Sequence, residues 1–131
     1  MEKIDIAIYE HDVLISVDET DDELYEQVKH SFKSRDEFDN SWINFESSKA
    51  RTIFYDRDGY CIIRFKKEPL KHSLVAHEAF HATHFILDRV GIKLSDDSDE
   101  AFAYLLGYIV ENIYLCIDRK QYAVSGHRSK G

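Results

Sequence analysis

His77, Glu78 and His81 are the residues whose types and spacing could do chemistry. They form the run His77-Glu78-Ala79-Phe80-His81 in a chain of 131 residues. On a helix, side chains four apart lie one above the other on the same face. Two imidazoles at that spacing can share one ion, and zinc takes neutral imidazole nitrogens at about 2.0–2.1 Å in a tetrahedral shell. Glu78 falls on the flank of the pair, where its carboxylate can reach a water on the metal and take its proton. This H-E-x-x-H pattern points to Zn2+ as cofactor and to peptide hydrolysis by a metal-activated water with Glu78 as general base. The competing reading is a solvated helix face carrying unrelated histidines.

A catalytic zinc needs a third protein ligand and an open fourth position. His84 lies close in azimuth, but it is seven residues and about 10 Å along the axis from His77. One straight helix cannot bring His77, His81 and His84 to one ion, so His84 reads as supporting, substrate-contacting or simply exposed. Glu100 is the better candidate. The loop from Gly91 to Asp97 is long enough to return the chain antiparallel beside the motif helix. Glu100, Tyr104, Gly107 and Glu111 then share one stripe, opposite an apolar face of Phe102, Leu105, Ile109 and Ile113. The alternative for Glu100 is a capping role, since Asp97 and Glu100 have capping-box spacing. Asp99 and Asp97 are the fallback ligands.

With Glu100 nineteen residues after His81, the motif resembles the gluzincin metallopeptidase pattern. It is most similar to the compact metallopeptidases encoded in phage and bacterial genomes. The resemblance covers about residues 60–112. It implies a zincin-like fold, zinc held by His77, His81 and Glu100, Glu78 as general base, and a peptide or protein substrate lying along a sheet edge. The strand Tyr60–Phe65 is the candidate for that edge. The chain also departs from the pattern. Larger gluzincins often carry an Asp one turn after the ligand Glu, where this chain has Tyr104. Their second lobe, which supplies an oxyanion donor, has no room at this length. Tyr104 or Tyr108 could supply that hydroxyl, and either could equally be packing. A non-catalytic zinc-binding or peptide-binding module that keeps the fold is the alternative function.

The elements that must position these residues are legible in outline. Ile4, Ile6 and Ile8 alternate with Asp5, Ala7 and Tyr9, and Val13–Val17 follows after a polar break, which predicts an antiparallel hairpin. Thr20 and Glu23 have capping-box spacing at the start of a helix expected over about Asp21 to Phe32. Residues 35–50 give no clear pattern. Thr52–Tyr55 and Tyr60–Phe65 read as a second hairpin about the turn Asp56-Arg57-Asp58-Gly59. Pro69 suits the first turn of a motif helix running from Leu70 to Val90, with Gly91 as its cap. A last helix starts among Asp96–Asp99 and reaches about Asp118. Strands and helices in this order predict an α+β fold, a small mostly antiparallel sheet packed on helices. A single domain over 1–119 and a flexible tail over 120–131 are expected.

Composition narrows the partners. The net charge of -8 disfavours nucleic acid and anionic membranes. No secretory signal is visible and no run of eighteen apolar residues occurs, so a cytoplasmic location and no membrane span are expected. Cys61 and Cys116 read as two buried free thiols rather than a disulfide. His11, His30, His72 and His127 show no ligand spacing. Oligomeric state is not readable from the sequence.

Overall fold

A computed structural model describes residues 1–55, 58–67 and 69–124, with side chains as far as Arg119. The N-terminal hairpin forms as its alternation predicts. β1 (Glu2–Ile6) pairs antiparallel with β2 (His11–Val17), burying Ile4 and Ile6. Ile8 leaves the pattern, 83% exposed, because the chain turns out of the strand at Ala7–Tyr9 and reverses through Glu10 in the left-handed region. β3 (Ala50–Tyr55) and β4 (Tyr60–Phe65) form the second antiparallel hairpin. Gly59, at φ +73°, closes its turn, with its amide donating to the Tyr55 carbonyl; Asp56 and Arg57 lie outside the described residues.

The hairpins join through a parallel pairing of β2 with β4, giving the order β1-β2-β4-β3. The sheet is therefore mixed, with two antiparallel pairings and one parallel. The expectation of Tyr60–Phe65 as a sheet edge is overturned by this order. β4 is central and buried along its whole length, as its nearly unbroken apolar run suits a strand covered on both faces. The edge on that side is β3.

Helices cover both faces. On one side α1 (Asp21–Val28) and α2 (Arg35–Ser41) build a core of Leu24, Val28, Phe38, Trp42 and Phe45 against Tyr60 and Ile62. The Thr20–Glu23 capping box is present in both directions, but α1 ends four residues earlier than expected and tightens into a single turn at Lys29–Ser31. Arg64 is buried on this face, its guanidinium over the Trp42 and Phe45 rings and donating to Asp21 Oδ1 at 2.8 Å.

On the other face lie α3 (His72–Arg89) and α4 (Asp99–Val124), packed on Val13, Ile15, Cys61, Ile63 and Phe65. α3 starts at His72, so Pro69 precedes the helix rather than sitting in its first turn. It ends as predicted at Gly91, at φ +84°. The Gly91 amide reaches the Asp88 carbonyl and the Ile92 amide the Leu87 carbonyl, the two bonds of a Schellman motif. α4 begins after Ser98, whose carbonyl accepts from the Phe102 amide, and it continues past Asp118 to Val124; residues 125–131 lie outside the described residues. Its stretch Asp99–Arg119 is long and apolar enough to cross a bilayer by composition, at mean hydropathy 1.3. Six of its apolar side chains, Phe102, Leu105, Ile109, Ile113, Cys116 and Ile117, are buried in the core. Both cysteines are free and buried, as expected.

Candidate metal centre

α3 carries the motif residues on its middle turns. Val75, Ala79, Ala82 and Ile86 are buried toward the sheet, while His77 and His81 stand on the outer face. Their Nε2 atoms converge to 3.1 Å, and their ring centroids lie 4.7 Å apart at 77°. Two nitrogens on a tetrahedral zinc at about 2.0–2.1 Å would be separated by about 3.3 Å. The pair is thus within a few tenths of an ångström of a ligating arrangement, though the same distance also suits an N–H···N hydrogen bond between neutral rings. The His77 side chain is 64% exposed, so the pair is open to solvent and to a ligand.

Glu78 lies between the histidine face and the sheet edge, one carboxylate oxygen toward each. It is 5% exposed, and its Oε2 lies 4.0 Å from His77 Nε2. The opposite oxygen, Oε1, accepts a hydrogen bond from Thr52 Oγ1 at 2.6 Å. Thr52 is on β3 between Ala50 and Phe54, whose side chains pack toward α3. Phe54 stacks on Phe85 at 3.6 Å and 2°, an aromatic pair worth about 0.5–1.5 kcal/mol that clamps the edge strand to the motif helix. Two nitrogen donors and an adjacent, anchored carboxylate are thus in place, short of the three protein ligands that a catalytic zinc needs.

The other expected participants are placed differently. α3 and α4 run antiparallel, with His72 meeting Tyr114 at one end and His84 meeting Phe102 at the other. At about 1.5 Å rise per residue, this sets Glu100 level with about Ile86, more than one turn beyond His81. Glu100 is exposed in the first turn of α4, and no hydrogen bond or ion pair holds it among the described residues. The stripe Glu100, Tyr104, Gly107 and Glu111 is the solvent face of α4. Among the described residues no group of three His, Cys, Asp or Glu side chains is placed to hold a metal ion. The structure thus brings His77, Glu78 and His81 together and leaves Glu100 apart.

Tyr104 is 76% exposed. Tyr108 donates weakly to the Asp5 carbonyl at 3.5 Å, on β1 at the sheet edge opposite β3, and so is turned from the histidine pair. His84 packs against Phe80 and Phe102. His11 is buried beside Phe85, His30 faces Tyr60, and His72 bonds Tyr114; His127 lies outside the described residues. Sequence reasoning missed Thr52. The available signal was a hydroxyl between two apolar residues of the same strand face. No protein-family model, curated protein or solved structure matches this chain.

Proposed function

We propose that the protein is a zinc-dependent peptidase of the gluzincin kind with a minimal zincin-like fold, acting in the cytoplasm on a peptide or protein substrate. The observation that carries the reading is the convergence of two exposed imidazole nitrogens beside a buried, hydrogen-bonded carboxylate on one helix. His77 and His81 would hold the metal. Glu100, unengaged at the start of α4, is the proposed third ligand and must turn inward to join them. When bound, zinc supplies Lewis acidity, polarising a carbonyl and lowering the pKa of water toward neutrality. Glu78 accepts a proton from the attacking water at Oε2 and delivers it to the leaving amine nitrogen as the C–N bond breaks. An extended substrate would lie along β3, the edge strand beside the motif helix. Tyr104, whose hydroxyl is free in solvent, is a better proposed oxyanion donor than Tyr108.

The test begins with protein purified without chelators. One zinc per chain is expected, lost in His77→Ala and weakened in Glu100→Gln. Glu78→Gln should keep the zinc and lower cleavage of fluorescein-labelled casein by about 10²–10⁴-fold. Zinc-dependent cleavage at the wild-type rate in Glu78→Gln would sink the mechanism. The outward position of Glu100 favours one second reading, a non-catalytic zinc-binding or peptide-binding module. Zinc bound at one per chain with no hydrolysis would select it.

A further inference from the structure

Thr52 belongs to no motif and lies 26 residues before Glu78, yet its hydroxyl makes the shortest contact to that carboxylate. We infer that Thr52 is the positioning residue of the general base, fixing Glu78 through Oε1 so that Oε2 alone is left to face the histidine pair. This rests on the peptidase reading of the site. The two oxygens have different surroundings: Oε1 is 2.6 Å from Thr52 Oγ1, whereas Oε2 is 4.0 Å from His77 Nε2. A carboxylate with one oxygen engaged by a donor takes its proton on the other. The proton is thereby directed to the oxygen nearest the reacting groups.

The anchor is stiff. Thr is β-branched and restricted at χ1, and Thr52 is held opposite Ile63 in the β3–β4 ladder. The same hydroxyl lies 3.4 Å from the Glu78 backbone carbonyl, so it reaches both the main chain and the side chain of one residue. Glu78 is nearly excluded from water, and solvent cannot easily replace a lost donor. An ordinary strand-to-helix pin would look similar in the resting fold. It would not distinguish one carboxylate oxygen from the other during turnover, and that difference can be measured.

The test pairs a stability cycle with kinetics. In the zinc-free protein, Thr52→Val should lower the thermal midpoint in the wild-type background and lower it less when Glu78 is already Ala. An equal drop in both backgrounds would show that the hydroxyl does not hold Glu78 and would overturn the inference. In the zinc-loaded protein, Thr52→Val should reduce kcat on labelled casein about tenfold to a hundredfold. KM and the zinc dissociation constant should be unchanged, and Thr52→Ser should restore most of kcat. Wild-type kcat in Thr52→Val, or a Ser variant as slow as Val, overturns the positioning role. Wild-type protein that binds zinc but cleaves no casein removes the peptidase reading and the positioning role with it. The stability cycle still reports whether the pair exists, so the two failures are distinguishable.

Discussion

Asp5 and Asp12 sit directly opposite each other in the first hairpin, with Lys3 at 4.0 Å from Asp12. Partial burial pushes the Asp12 carboxyl up from its usual range; Lys3 opposes the shift and Asp5 adds to it. A carboxyl with a raised folded-state pKa favours folding at low pH, and that contribution is lost as pH rises through the folded value. Asp5→Asn should therefore raise the thermal midpoint at pH 7 and change it little at pH 3. The gain should be about 0.2–1 kcal/mol, the scale of a cross-strand pair. A midpoint at pH 7 no higher than wild type would refute the account. At this scale the candidate site was legible where its partners are close in sequence. His77, Glu78 and His81 are fixed by helical period alone. Thr52 was not legible, because its bond to Glu78 depends on which strand lies beside the helix. The period puts Glu100 on the polar stripe of an amphipathic helix, and the expectation that this stripe faces His77 and His81 is not met, since it lies toward solvent. Which way that exposed face points is set by packing, and the period does not carry it.

Elements were legible where local chemistry ends them. The Thr20–Glu23 box and Gly91 fall where expected because each satisfies orphaned backbone groups with nearby atoms. Gly91 offers a clean test. A Cβ built there meets nothing within 4 Å, so substitution costs only the left-handed backbone conformation at φ +84°. Gly91→Ala should destabilise the protein by about 1–2 kcal/mol, read from the urea midpoint. A neutral substitution would mean that the α3 terminus relaxes without its Schellman bonds. α2 went unread because its seven residues show one buried side chain, Phe38, too few to establish a period. α1 was read too long because Phe32 continues the helical spacing while the chain itself has already tightened at Lys29–Ser31.

At the scale of the whole molecule, α+β class and both hairpins were legible, since each hairpin pairs neighbours in sequence. The order of the strands was not. β2 meets β4 across the intervening α1, α2 and β3, and no residue in either strand announces that partner. The consequence is kinetic. Each hairpin closes a short loop, whereas the parallel seam cannot form until a segment of about forty residues has been gathered, and such closures are entropically late. Folding is accordingly expected to run as two independently nucleated halves that dock last along β2 and β4. Pulse-labelled hydrogen exchange should find amides within the β1–β2 and β3–β4 ladders protected before those bridging β2 to β4. Seam amides protected in the earliest phase would reverse that order. Thr52 and Glu78 both lie on the C-terminal side of the seam, so the carboxylate anchor belongs to one folding half and could assemble before the sheet is whole.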